Sequence, residues 1–203
     1  MQFHDDESGD WRGLNASVQT PRYSAIAEIL VGLKPDAFVL DVGCGEAVLC
    51  SWLPQEFKYL GVEPSSNAVR NAIKQFPESQ FVNGTAELFD PGNRRFDCVV
   101  FNEMLYYASN PIGLLQKYAK YVSYGGTILC SIYQKPDKIS WKRRLRYCLN
   151  RRKPLSNRHC EHLIRAFMAR KQWKIIDDRT VAIPGSEENW HIWLATPPSS
   201  SVT

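Results

Sequence analysis

The sequence predicts an α/β fold: seven strands in a mainly parallel sheet, helices on both faces, and a C-terminal antiparallel hairpin. Three observations support it. Through the first two thirds of the chain, short β-branched runs alternate with segments of helical periodicity. The first of these runs, AFVLDVG (37–43), leads into a two-glycine turn. The last two strand-like runs follow one another without a helix between them, as an antiparallel pair permits.

Each element has its own signature. AFVLDVG is apolar without alternation, like a strand covered on both faces, and the residues after Gly45 suit a helix ending before Pro54. KYLGVEP (58–64) is a shorter strand ending in an acid. SSNAVRNAIKQF (65–76) follows with a serine cap and with Ala68, Val69, Ala72, Ile73 and Phe76 at helical spacing. SQFVNGTAE (79–87) predicts a short strand and turn, RFDCVVFNEM (95–104) a core strand, PIGLLQKYAKYV (111–122) a helix with proline in its first turn, and GGTILCSIY (125–133) the fifth strand. HCEHLIRAFMARKQW (159–173) predicts a helix with Leu163, Ala166, Phe167 and Arg170 on one face. KIIDDRTVAI (174–183) and NWHIWLAT (189–196) close the sheet, the second alternating in part like an edge strand.

A chain of 203 residues fits one domain, here 1–203, with an N-terminal cap segment (1–30) and a basic, lid-like insertion (134–158). No apolar run reaches the roughly 18 residues of a membrane span. The start, MQFHDDESGDWRGLN, is acidic and has no secretory pattern, so the expected location is cytoplasmic. The cysteines at 44, 50, 98, 130, 148 and 160 form no C-x-x-C pair and no zinc-ligand set, so reduced thiols and no metal are expected. Within 135–158, ten Lys and Arg face one acid, a net of +9 in a chain of formal charge +4. The rest of the chain is therefore net acidic.

In an open parallel sheet a ligand binds beyond the carboxyl ends of the strands, which is where Asp41-Val-Gly43-Cys44-Gly45 falls. The loop is not a Walker loop, since no Lys-Ser or Lys-Thr occurs. It is not a G-x-G-x-x-G dinucleotide loop either, since position 48 is Val. What remains is an acid, two glycines and the small Ala47, followed about 20 residues later by Glu63 at the end of the second strand, in register for ribose hydroxyls.

Taken in order, VLDVGCGEAVL, YLGVEPSS, FVNGTAELF, FDCVVFNEMLYY and GGTILCSI resemble the motif set of class I S-adenosylmethionine-dependent methyltransferases, a Rossmann-like family, over roughly residues 37–133. The resemblance implies S-adenosylmethionine as cofactor and S-adenosylhomocysteine as product. It implies that Asp41, Gly43, Cys44 and Gly45 line the methionine part, that Glu63 binds the ribose, and that Pro64 and Ser65 lie beside the adenine. The turn Gly84-Thr85-Ala86-Glu87 is expected at the adenine edge, with Thr85 where many members carry Asp. Asn102 and Glu103 are expected at the methionine end and sulfonium, and Tyr107 stands where many members carry His.

Methyl transfer from a sulfonium is an in-line displacement that needs position, desolvation and, for a protonated acceptor, a base, but no metal. Candidate bases are Glu103 and the histidines that open the helix after the insertion, His159 and His162, with Tyr107 as a wall facing the acceptor. His191, between tryptophans, is expected to be packed and hydrogen-bonded. Trp11, Arg12 and Tyr23 are expected to close over the cofactor, with Arg22 or Arg12 pairing with its carboxylate.

Residues 138–153 predict a basic amphipathic helix with Trp141, Leu145, Cys148 and Leu149 on one face. Three roles stay open for it: a solvated face, recognition of an acidic acceptor, or contact with an anionic membrane surface or RNA. No N-P-P-Y-like motif follows the fourth strand, which reads N-E-M-L, so a small-molecule or glycan acceptor is preferred over nucleic acid. The alternatives are an RNA or protein methyltransferase docking through that helix, and a non-catalytic partner protein that keeps the cofactor fold. Monomer and homodimer both remain open.

Overall fold

The computed structural model describes residues 17–135 and 156–198. Trp11, Arg12 and the expected basic helix at 138–153 lie outside the described residues.

Seven strands form one sheet: β1 (Phe38–Val42), β2 (Lys58–Glu63), β3 (Gln80–Asn83), β4 (Phe96–Asn102), β5 (Val122–Gln134), β6 (Lys174–Ala182) and β7 (Asn189–Thr196), in the order β3-β2-β1-β4-β5-β7-β6. The first five are parallel and β7 runs antiparallel to both β5 and β6. From β1 the chain steps outward through β2 to β3, then returns to place β4 on the other side of β1. That reversal opens a crevice above the carboxyl ends of β1 and β4, where such sheets hold ligands.

Side-chain alternation along the strands builds two apolar layers. On one face α1 (Thr20–Val31) lays Tyr23, Ile26 and Leu30 against Val39, Val100, Leu129, Trp190 and Ile192. The helix starts on Pro21, whose fixed φ suits a first turn. Beside it α2 (Ser66–Gln75) is capped by Ser65 Oγ, which accepts from Ala68 N, and packs Ala72 against Tyr59. On the other face α3 (Pro111–Ala119), capped by Asn110, and α4 (Asn157–Arg170), capped by Ser156, cover Leu40, Val99, Phe101, Ile132 and Trp193.

Three expectations are corrected. The helix expected after Gly45 is a short 3-10 segment, Val48–Trp52, because Ala47 sits at φ +59 and bends the chain first. On α4 the buried face is Cys160, Glu161, Ile164, Phe167 and Met168, while Leu163 is 37% exposed. The sheet selects a stripe displaced by about one residue from the one read off the sequence. The edge strand is β6, whose side chains stay largely outside the core, whereas β7 is interior and carries the buried Trp190 and Trp193.

Candidate active site

The loop after β1 turns by left-handed backbone: Gly43 lies at φ +76, Gly45 at +56 and Ala47 at +59. Glycine adopts such angles without steric cost. Gly43 N and Cys44 N both donate to Val62 O, at 2.7 and 3.2 Å, so the loop folds back over the end of β2. Glu63 completes the attachment. Its Oε2 accepts from Gly45 N at 3.0 Å and its Oε1 from Ser65 N at 2.9 Å. Each oxygen keeps lone-pair capacity for a further donor. Burial raises the Glu63 pKa and the two backbone donors oppose that rise.

Asp41, 1% exposed, lies beneath this loop, where Oδ2 accepts from Tyr59 OH at 2.7 Å. Burial pushes its pKa up to about 7. Its Oδ1 is buried without a hydrogen-bond partner among the described residues, and so is Nε of Arg22. An unpaired acidic acceptor and an unpaired cationic donor at one crevice match the ammonium and carboxylate of an α-amino acid. The residues present therefore fit the methionine end and the ribose of S-adenosylmethionine.

Above β4, Glu103 sits at φ +60, outside the conformations a side chain of its kind favours. Ser131 Oγ lies 2.9 Å from Asn102 Oδ1 and 3.1 Å from Glu103 Oε1, and Tyr106 OH donates to Glu103 Oε2 at 2.9 Å. Arg22 Nη1 stands 3.8 Å from the same Oε2. Burial raises the Glu103 pKa, while Arg22, Tyr106 and Ser131 oppose the rise.

The turn expected at the adenine edge is held from α3. Tyr118 OH donates to Ala86 O at 3.0 Å, and Lys117 Nζ donates to Ala86 O at 3.2 Å and to Glu87 O at 2.7 Å. Thr85 Oγ1 serves the turn itself, accepting from Leu88 N, and Glu87 is exposed. Pro64 O accepts from Asn83 Nδ2, and Ser65 caps α2.

The remaining expected residues fall elsewhere. Tyr107 is 64% exposed and leans on Tyr106, with ring centroids 4.5 Å apart. His159 and His162 are exposed, because the buried stripe of α4 passes through Cys160, Glu161 and Ile164. Tyr23 is a core residue of α1, stacked on Trp52, rather than a flap. Cys44 points its sulfur at Gly61, and burial raises its pKa well above the ordinary thiol range. His191 is hydrogen-bonded as expected, with Nδ1 2.8 Å from Glu161 Oε1 in a cluster with Gln134 and Arg165 that ties α4 to the sheet. A cavity of about 330 Å³ lined by Lys120, Lys171 and Trp173 lies at the opposite edge of the sheet, where α3 and α4 end.

Sequence reasoning missed Tyr59 and Ser131. The signal for Ser131 is visible: a serine inside the apolar run ILCSI, in register with Asn102.

Comparison with known proteins agrees with this geometry. A family model described as "Methyltransferase domain" matches residues 19–175. The ubiquinone biosynthesis O-methyltransferase of Vibrio cholerae serotype O1 is 30% identical over 99 residues, 46% of this chain and 40% of that protein. The chain thus spans about 40% of the length of the curated relatives it matches. The N-methyltransferase NodS of Bradyrhizobium japonicum WM9, solved with S-adenosylhomocysteine, superposes with a TM-score of 0.73 at 12% identity, covering 97% of this chain and 95% of that one. Magnesium protoporphyrin IX methyltransferase of Synechocystis PCC 6803 gives 0.69 at 16% identity, with 89% and 84% covered. At such identities the two solved structures speak to the fold alone. The solved structures share the fold, and on the family model, which spans most of the sequence, the chain belongs to the methyltransferase-domain family.

Proposed function

We propose that the chain transfers a methyl group from S-adenosylmethionine to an O or N atom of a small acceptor molecule. The observation that carries this reading is the pair of buried, unpaired atoms Asp41 Oδ1 and Arg22 Nε beside the Glu63-anchored loop. Asp41 takes the cofactor's ammonium, Arg22 Nε its carboxylate, Glu63 the ribose hydroxyls, and the Thr85–Ala86 backbone the adenine edge. When bound, the cofactor supplies an electrophilic methyl whose sulfur leaves with the bonding electron pair.

What the chain adds is position and a proton acceptor. Glu103, at the end of β4 beside Asn102, accepts the proton that the acceptor's O-H or N-H releases as the new bond forms. Burial raises its pKa, which makes the carboxylate, once ionised, the stronger base. The likeness to an O-methyltransferase and the fold shared with an N-methyltransferase support a small acceptor and leave O and N both open.

Two measurements test the reading. Thermal unfolding with S-adenosylhomocysteine, against NAD and ATP as controls, is expected to show stabilisation by the first ligand alone, lost in Glu63→Ala. Once an acceptor is found, Glu103→Gln is expected to lose most turnover while still binding S-adenosylhomocysteine; full turnover in that variant would remove Glu103 from the chemistry.

A further inference from the structure

Arg22 and Glu103, 81 positions apart in sequence, meet in a buried contact. The Arg22 residue is 3% exposed and its Nη1 lies 3.8 Å from Glu103 Oε2. Aromatic faces hold the guanidinium in place: its carbon lies 4.7 Å from the ring centroid of Tyr23 on α1 and 5.4 Å from that of Trp190 on β7. Ring faces attract the cation without engaging its N-H groups in the plane. That leaves Nη1 for Glu103 and Nε for a second anion, a division a single ammonium cannot make.

Glu103 needs such a partner. At φ +60 its backbone is strained and its carboxyl is aimed inward from the end of β4. The groups facing it are Arg22 and Tyr23 from α1, Tyr106 from the turn after β4, and Ser131 and Tyr133 from β5. Apart from Arg22 these are neutral at pH 7, and a buried carboxyl among neutral donors tends to keep its proton. A proton-holding Glu103 is no base.

We propose that Arg22 is the positioning residue of Glu103: it holds the carboxylate charged and turned inward, so that the first helix arms the proton acceptor at the end of β4. This rests on the reading of Glu103 as that acceptor. Through its Nε the same side chain also meets the cofactor's carboxylate, so one guanidinium spans both halves of the site.

The test is a carboxyl ¹³C NMR titration of the full chain, with the Glu103 signal assigned by its loss in Glu103→Gln. In Arg22→Met the Glu103 midpoint is expected to rise by about one pH unit or more, the displacement typical of losing an opposite charge at this range. Arg22→Lys, which keeps the charge, is expected to show a smaller rise. An unmoved midpoint in a cooperatively unfolding Arg22→Met protein overturns the proposal. Should Arg22→Met fail to fold, Arg22→Gln replaces it: this variant removes the charge but keeps a polar side chain in the same seat, and a midpoint unmoved there overturns the proposal equally. Because the titration uses no acceptor, it separates two failures. Full turnover in Glu103→Gln removes the base, whereas an unmoved midpoint removes only Arg22's hold on it.

Discussion

Tyr59 donates its buried hydroxyl to Asp41 Oδ2 at 2.7 Å, so the acid beneath the glycine loop has one oxygen bound and the other unpaired. The unfolded carboxyl titrates near 3.8, whereas burial carries the folded one to about 7. The folded state thus holds this proton more tightly, and its contribution to stability is full at acid pH and is lost as pH rises through about 7. Urea unfolding at about pH 5 and about pH 8 is expected to show a loss with rising pH that shrinks in Asp41→Asn. Equal losses in the two proteins would contradict this.

Glu63→Gln tests whether the carboxylate is needed for its two backbone donors. An amide offers one oxygen, so either Gly45 N or Ser65 N loses its acceptor. The expected cost is about 1–3 kcal/mol by denaturant unfolding, together with loss of stabilisation by S-adenosylhomocysteine. Wild-type stability and ligand response in the variant would rule the attachment out.

Gly61 is required by packing rather than by φ. A Cβ there would stand 2.6 Å from Cys44 Sγ and 2.8 Å from Phe81 Cδ1. Gly61→Ala is expected to cost about 1–3 kcal/mol as an overpacked site. Adding Cys44→Ala should recover part of that loss, so the two changes are non-additive in a double-mutant cycle. Strict additivity would show that Cys44 is not what the new methyl meets.

Tyr118→Phe removes one of two donors to Ala86 O and leaves Lys117 in place. A stability loss of about 0.5–1.5 kcal/mol is expected. Calorimetry should show weaker binding of S-adenosylhomocysteine and unchanged binding of S-ribosylhomocysteine, which lacks adenine. Equal weakening of both ligands would count against an adenine contact at this turn.

How far the sequence carries depends on whether a property is local. Strand runs, the Ser65 cap and the glycine loop are set by neighbours along the chain, and each appears where the pattern predicts it. Edge and interior strands are not local: β7 owes its interior place to pairing with β5, 55 or more positions away, and partial alternation in NWHIWLAT could not report that. The site divides in the same way. Asp41, Glu63 and Glu103 stand out as acids at strand ends, whereas Tyr59, Ser131 and the seat of Arg22 exist only through contacts across strands and helices. The exposure of His159 and His162 is likewise set by which face of α4 meets the sheet, a property that no local pattern reports.

The two backbone bonds to Glu63 also bear on kinetics. They link the turn after β1 to the turn after β2 before any ligand arrives, so the conformational entropy of ordering that turn is lost on folding and not on encounter. Nucleoside association should then proceed in a single concentration-dependent phase, with no slow loop closure to limit it.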